Sequence, residues 1–211
     1  MDVTRFQQYY DRVVKQATER GDSPFHRSIT DKIVKEVVLP LNLPFDSLIY
    51  DIGCNLGYFV DEMQRAGYTN IHGLATTTGM VAGSHARGHE CQTLDFLSFD
   101  CTDSTVDFIF SRHTLTQSPF PFFTLLEYNR ALKPGGKMYV DVPSPNSIQK
   151  HEFDLCQYSI LGDAMWQALF LRAGFDILHT APLTVGLTNA KTGERYDETY
   201  LTYLLEKRWK S

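Results

Sequence analysis

A short glycine-containing segment, residues 51–57 with the sequence DIGCNLG, holds the residues best suited to bind a ligand. It lies between a predicted strand and a predicted helix. Its two glycines allow a sharp turn and let a ligand approach the backbone closely. The first turn of the following helix offers unpaired N–H groups to a carboxylate or phosphate, and in open α/β sheets nucleotide-like ligands bind at this place. Because short glycine motifs are weak signals, a turn needed only for packing is the alternative.

Three further segments follow in order: Asp95-Phe96, residues 107–113 (DFIFSRH) and residues 132–136 (LKPGG). Together with the glycine segment they resemble the class I (Rossmann-like) S-adenosylmethionine-dependent methyltransferase family, in its small-molecule branch of types 11 and 12. The resemblance covers roughly residues 47–142. It implies a doubly wound α/β fold, with a mostly parallel seven-stranded sheet, one antiparallel strand and helices on both faces. It also implies S-adenosyl-L-methionine as the cofactor, lying across the strand tips.

The resemblance also implies roles for individual residues. Those that would contact the methionine half of the cofactor lie in the glycine segment: Asp51, Gly53, Asn55 and Gly57. Asp95 would accept a hydrogen bond from the adenine amino group, with Phe96 beside the ring. Ser111, Arg112 and His113, at the tip of the fourth predicted strand, would face the cofactor and the methyl acceptor. Each residue also has a purely structural interpretation, such as a capped turn for Asp95 or core packing for Phe96.

The sequence departs from the family pattern at the end of the second predicted strand. Members usually carry an acidic residue there to hold the ribose hydroxyls, whereas this chain has Ala75 followed by Thr76. No Asp or Glu occurs between Glu62 and Glu90, so a shift in register cannot supply the carboxylate. We place Ala75 and Thr76 in the cofactor site. A neutral hydroxyl would bind the ribose less strongly, since charge-assisted hydrogen bonds are roughly twice as strong as neutral ones.

Two histidines are candidates for a catalytic base. An imidazole has an unperturbed pKa of about 6.5 and can accept a proton at physiological pH. His113 is expected at the strand tip that an acceptor must pass to reach the methyl group. His151 lies in a polar, turn-rich segment after the last parallel strand, where loops often carry function. For His113 the alternative role is packing against the cofactor, and for His151 it is a solvated loop.

The sequence therefore predicts an S-adenosylmethionine-dependent methyltransferase acting on an unidentified small-molecule acceptor. The alternative is a catalytically degenerate methyltransferase fold that serves as a binding or regulatory module, because fold does not fix function. A dehydrogenase would share the fold and the first glycine turn. It is disfavoured because the segment does not form G-x-G-x-x-G and no Arg follows Ala75 to meet a 2′-phosphate.

The elements that must position these residues can be read from hydrophobic periodicity. Two amphipathic helices are predicted, over residues 4–20 and 29–38, the second beginning after the cap-like Ser28. From residue 46 onward, short apolar runs alternate with helical stretches, as in βαβ units. We predict residues 1–45 to be an N-terminal helical cap or lid and residues 46–211 the methyltransferase domain. Six or seven strands are expected, the last two as a hairpin: 47–52, 70–75, 91–94, 106–111, 137–142, 176–185 and 198–205.

Composition narrows the possible partners. The 211 residues suffice for one domain, and 43% are hydrophobic. A net charge of −5 gives no basic footprint, so no nucleic-acid partner is expected. No leader or apolar run of about 18 residues is visible, so we expect a cytoplasmic protein without a membrane partner. The four cysteines lack metal-ligand spacing, so reduced thiols and no metal are expected, and the oligomeric state is left open.

Overall fold

The computed structural model describes residues 3–14, 21–188 and 192–209, within which the chain forms six α-helices and seven strands. The strands are β1 (Ile49–Ile52), β2 (Ile71–Ala75), β3 (Cys91–Thr93), β4 (Val106–Arg112), β5 (Leu132–Pro143), β6 (Phe175–Thr188) and β7 (Arg195–Lys207). The helices are α1 (Val3–Val14), α2 (Pro24–Ile33), α3 (Tyr58–Arg65), α4 (Thr78–Ala86), α5 (Pro121–Ala131) and α6 (Asp163–Arg172). Among the described residues no helix has the length and apolar character needed to cross a membrane.

The strands form one sheet in the order β3-β2-β1-β4-β5-β7-β6. Strands β1 to β5 pair in parallel, and β7 is antiparallel to both of its neighbours. This confirms the expected seven-stranded, mostly parallel sheet with one antiparallel strand. The strand order reverses between β1 and β4, and ligands of open α/β sheets bind at the carboxyl ends of the strands at such a reversal.

Apolar side chains cover both faces of the sheet, because successive residues of a strand point to opposite sides. In β4, Phe108 and Phe110 pack in a cluster with α2 and α3, while Ile109 packs in the cluster beneath α5 and α6. Phe110 stacks on Phe59 of α3 with ring centroids 4.1 Å apart. The fully buried Trp166 anchors α6 on the other face. The two packed faces fix the strand tips between them.

The second helix begins earlier than predicted, and the proposed cap at Ser28 is wrong. The helix starts at Pro24, and the hydroxyl of Ser23 accepts a hydrogen bond from the backbone N–H of His26 at 3.3 Å. Proline suits the first helical position because its missing N–H would be unpaired there in any case. After Ile33 the chain continues through a π-helical turn and a short 3-10 turn. In the first predicted helix, residues 15–20 lie outside the described residues.

Two irregular features also differ from the pattern-based ranges. The LKPGG segment is a bulge at the start of β5: the register passes from Val106–Leu132 to Phe108–Lys137, with Gly135 at φ +77°. The β6–β7 hairpin is longer at both ends than predicted. Its outer part pairs beyond the end of β5, where Val185 and Leu187 of β6 alternate with Thr184, Gly186 and Thr188.

Candidate cofactor and acceptor site

A cleft opens where β1 and β4 end, at the reversal of strand order. It encloses about 800 Å³ when the solvent-filled space at its open mouth is included. The glycine segment forms its floor, the tip of β4 one wall, and His26 and Thr30 of α2 its cover. The sequence predicts a site at this turn and a helical cap over residues 1–45, but it singles out neither His26 and Thr30 nor Cys156, which also line the cleft.

The glycine segment has a left-handed backbone at three positions: Gly53 (φ +85°), Asn55 (φ 48°) and Gly57 (φ +79°). A Cβ atom at Gly53 would overlap the side chain of Thr114, and one at Gly57 would overlap the ring of His89. The glycines are therefore required by the packing of the protein itself. Gly53 also lines the cleft beside Asn55, where it leaves its backbone accessible to a ligand. The packing and ligand-binding interpretations of this glycine therefore both apply.

Asp51 is the buried charge of the cleft. It lies one residue before the end of β1, its side chain faces the cleft, and it accepts no hydrogen bond from the described residues. Burial raises the pKa of Asp51 well above its usual range; nearby Cys91 adds to the rise and Arg112 opposes it. An ionised carboxylate held this way costs the folded chain free energy until a cationic or hydrogen-bonding partner arrives.

Arg112 and Asp141 tie the wall of the cleft to its cover. The Arg112 guanidinium donates from Nε to Asp141 at 2.9 Å, and from Nη1 to the carbonyl of His26 at 3.3 Å and the hydroxyl of Thr30 at 3.2 Å. Its Nη2 is buried without a partner among the described residues. Burial raises the pKa of Asp141 to about 6, and Arg112 opposes that rise.

His113 is held at the tip of β4 by an unusual backbone. Its φ of 55° is left-handed, and a non-glycine residue in this region often marks a functional site. The backbone N–H donates to the carbonyl of Asp141 at 3.0 Å, and ring atom Nε2 lies 3.2 Å from the Asp141 carboxylate. The ring packs on Tyr200 of β7 with centroids 4.4 Å apart. His113 also lines the cleft, so its ring can meet an acceptor.

Not every residue of the sequence-based site lines the cleft. Those that do are Asp51, Gly53, Asn55, Thr76, Arg112 and His113. Gly57 is the N-cap of α3, while Ala75 and Ser111 are fully buried behind the surface. Asp95 accepts a hydrogen bond from the hydroxyl of Tyr10 at 2.7 Å, and Phe96 packs in the core. The cofactor roles of these residues stay predictions.

His151 lies outside the cleft lining as well. It sits in the loop after β5, where its Nε2 is 3.5 Å from a carboxylate oxygen of Glu198 on β7. Glu198 is fully buried. The pair joins the loop to the β6–β7 hairpin, so the present geometry gives His151 a structural contact, and its role as a base stays a prediction.

The chemistry of the cleft fits the two charged groups of a bound amino acid such as the methionine part of S-adenosylmethionine. Asp51 and the buried, unpartnered Oδ1 of Asn55 can accept hydrogen bonds from an ammonium group. The unpartnered Nη2 of Arg112 and the N-terminus of α3 can donate to a carboxylate. Acceptors and donors are therefore both present.

Comparison with known proteins agrees with this chemistry. Residues 50–140 match the family model described as a methyltransferase domain. The chain is 29% identical over 153 residues to phosphoethanolamine N-methyltransferase 3 of Arabidopsis thaliana. This alignment covers 64% of this chain and 31% of that protein. The chain is also 31% identical over 113 residues to phosphoethanolamine N-methyltransferase of Triticum aestivum, covering 50% of this chain and 22% of that one. The chain thus spans less than a third of the length of these relatives.

Solved structures share the fold at low identity. A SAM-dependent methyltransferase of Methanosarcina mazei has a TM-score of 0.66 at 17% identity, with 82% of this chain and 98% of that chain covered. The [4+2]-cyclase SpnF has a TM-score of 0.69 at 17% identity, with 92% and 85% covered. The fold is that of the class I S-adenosylmethionine-dependent methyltransferases. The match over residues 50–140 is to a methyltransferase domain, a class whose cofactor is S-adenosylmethionine.

Replacing Asp51 by the isosteric Asn should stabilise the ligand-free protein at pH 7.5. Because the folded-state pKa of Asp51 lies above its unfolded value of about 3.9, the ionised group destabilises the folded chain at neutral pH. That cost disappears as the pH falls below the unfolded pKa. We expect the Tm of Asp51→Asn to exceed that of the wild type by about 2–4 °C at pH 7.5 and the difference to close near pH 4. The exposed control Asp46→Asn should have the same Tm as the wild type at pH 7.5 and near pH 4. A lower Tm for Asp51→Asn at pH 7.5 would contradict this assignment.

A carboxylate introduced at Thr76 should tighten binding of S-adenosylhomocysteine about fivefold, the equivalent of about 1 kcal/mol. Thr76 lines the cleft at the end of β2, whereas the adjacent Ala75 is closed off from it. We therefore expect Thr76→Asp to gain affinity in calorimetry and Ala75→Asp to lower Tm by burying an unpaired charge. The exposed Thr78→Asp serves as the control with unchanged affinity. Tighter binding by Ala75→Asp alone would show that the ribose lies against Ala75, as the family resemblance implies.

Proposed function

We propose that this protein is an S-adenosylmethionine-dependent methyltransferase whose small-molecule acceptor enters the cleft between the tip of β4 and α2. The observation that carries the proposal is the convergence on one cleft of the ionisable Asp51, the bare glycine segment and His113. These groups come from the ends of β1 and β4, the place where the fold binds ligands. The methyltransferase-domain match over residues 50–140 supports the same reaction class.

The cofactor of this class supplies a methyl group already activated on a sulfonium, so the protein need mainly orient an acceptor and keep water away. Asp51 and Asn55 would hold the cationic side of the cofactor. Arg112, fixed by Asp141, keeps α2 closed over the cleft through its bonds to α2. His113 would take a proton from the acceptor, and its left-handed backbone and the Tyr200 ring hold the imidazole in place.

An amine is the acceptor class to test first. The curated relatives are named phosphoethanolamine N-methyltransferases, although the match spans only part of their length. An alkylammonium must lose a proton before its nitrogen can attack a methyl group, and a base such as His113 at the cleft would serve that need. Phosphoethanolamine and ethanolamine are therefore the first two acceptors to compare.

A binding or regulatory module is the second candidate function. The observation that favours it is the missing carboxylate at Ala75, since the family usually holds the ribose with an acidic residue there. The [4+2]-cyclase SpnF has the same fold, and a shared fold alone does not fix methyl transfer as the activity.

Calorimetry and a transfer assay separate the two candidates. Titration with S-adenosylmethionine and S-adenosylhomocysteine should show one binding site, and radiolabelled methyl groups should then appear on phosphoethanolamine or ethanolamine. A protein that binds both cofactor forms but methylates no amine in the panel fits the module. Absence of binding to either form would remove the methyltransferase proposal.

With an accepted substrate in hand, His113→Asn should lower kcat at least about 100-fold, the lower end of general-base effects. Asn is among the non-glycine residues that adopt a left-handed backbone most readily, so the local fold is kept. Affinity for S-adenosylhomocysteine should change little, because His113 is assigned to the acceptor. The exposed His179→Asn is the matched control and should retain full turnover. Near-normal turnover by His113→Asn from pH 6 to 9 would exclude His113 as the base and make His151 the next residue to test.

A further inference from the structure

Two cysteine thiols meet beneath the glycine segment. The Sγ atoms of Cys54 and Cys91 lie 3.3 Å apart, and both side chains are buried free thiols. Cys54 belongs to the glycine segment and lines the cofactor cleft. Cys91 begins β3 and lines a separate groove together with His85 and Gln92. One member of the pair therefore touches the functional site, and the other touches a second opening to the surface.

The bare backbone of β2 makes this contact possible. Gly73 pairs with Cys91 in the sheet, and a Cβ atom at Gly73 would stand 2.7 Å from the sulfur of Cys54 and 3.4 Å from that of Cys91. Any side chain at this position would press the two sulfurs apart. A disulfide has a sulfur–sulfur bond of about 2.04 Å, so the two atoms need to approach by only about 1.3 Å.

The two thiols differ in acidity. Their mutual hydrogen bond lowers the pKa of Cys91 to about 7, and the same bond together with burial raises the pKa of Cys54. The thiolate is the reactive form of cysteine. Because Cys91 also lines the surface groove, its sulfur is the one that would attack an oxidant reaching that groove first, with Cys54 as its resolving partner.

We propose that Cys54 and Cys91 form a reversible oxidative modification site, and that their disulfide weakens cofactor binding. The oxidant class is a peroxide. With hydrogen peroxide as the oxidant, the sulfur of Cys91 attacks one peroxide oxygen. An S–O bond forms, the O–O bond breaks, one water leaves, and Cys91 becomes a sulfenic acid. The sulfur of Cys54 then attacks that sulfenic acid, an S–S bond forms, the S–O bond breaks and a second water leaves. A dithiol reverses the change by thiol–disulfide exchange.

The position of Cys54 explains why the bond would affect the cleft. Its neighbours Gly53 and Asn55 both have left-handed backbone, and the N–H groups of Gly53 and Cys54 share the carbonyl of Leu74 at 2.7 and 3.0 Å. Drawing Cys54 toward β3 displaces this tightly constrained turn, which is the floor of the cleft. A misplacement of about 1 Å can cost up to about 100-fold in catalytic rate, so a shift of the cleft floor should also be measurable as weaker cofactor binding. The affinity effect rests on the proposed cofactor function, whereas disulfide formation does not.

The test compares reduced and oxidised full-length protein. After treatment with hydrogen peroxide and blocking of remaining thiols, peptide mass mapping should find Cys54 joined to Cys91. Calorimetry with S-adenosylhomocysteine should show a Kd at least about 10-fold higher, restored by dithiothreitol. Cys91→Ser should bind like the reduced wild type and keep that affinity after peroxide. The control Cys101→Ser, altered at a thiol outside the cleft, should respond to peroxide as the wild type does.

Three results would overturn the proposal: no Cys54–Cys91 peptide, a linked peptide with unchanged affinity, or an equal loss of affinity in peroxide-treated Cys91→Ser. If Cys91→Ser does not fold, Cys54→Ser takes its place, with its own reduced form as the reference. Failure of the reduced wild type to bind S-adenosylhomocysteine would count against the proposed cofactor function and the affinity effect together. The peptide map would still decide whether the two thiols form a modification site.

Discussion

The carboxylate of Asp141, fully buried at the end of β5, is the interaction on which the arrangement of the cleft depends. It accepts hydrogen bonds from Arg112 and from the backbone N–H of His113, and Arg112 in turn reaches two groups of α2. Two strand tips and the covering helix are therefore joined through one buried charge. Loss of either partner of such a pair leaves the other charge unpaired in the interior, a change that is strongly destabilising. The geometry of the wall and the cover is thus fixed before any ligand binds.

Several groups around this charge are held in unfavourable states. Within the described part of the chain, Asp51 faces the cleft without a hydrogen-bond donor and Arg112 keeps one buried nitrogen unpartnered, while His113 has a left-handed backbone. Elsewhere, helices pack apolar faces on both sides of the sheet, although buried polar atoms without a hydrogen-bond partner among the described residues also occur there, as at Tyr128 and Trp166. Unfavourable local states persist when the surrounding structure is stable enough to impose them, and they concentrate at functional sites. The meeting of these three groups at one cleft supports ligand binding there by a physical argument that does not depend on sequence similarity.

Local sequence patterns predicted most of the fold and part of the candidate site. The glycine segment, Arg112 and His113 could be placed from sequence, because each lies at a strand end that periodicity locates well. The contributions of His26 and Thr30 could not, since these residues come from a helix whose docking depends on contacts distant in sequence. The same reason applies to Asp95, whose partner Tyr10 lies 85 residues away. The helix start at Pro24 was missed because Ser23 and Ser28 are both plausible caps, and only tertiary packing distinguishes them.

The antiparallel strand β7 serves both sides of the sheet at once. Tyr200 faces His113 near the cleft, while Tyr203, three residues further along, faces the opposite core and donates a hydrogen bond to Asp163 of α6 at 2.7 Å. Because side chains alternate along a strand, a single-residue deletion between these two tyrosines would send one of them to the wrong face. The odd spacing of three residues therefore keeps Tyr200 on the cleft side of the sheet and Tyr203 in the core on the other side.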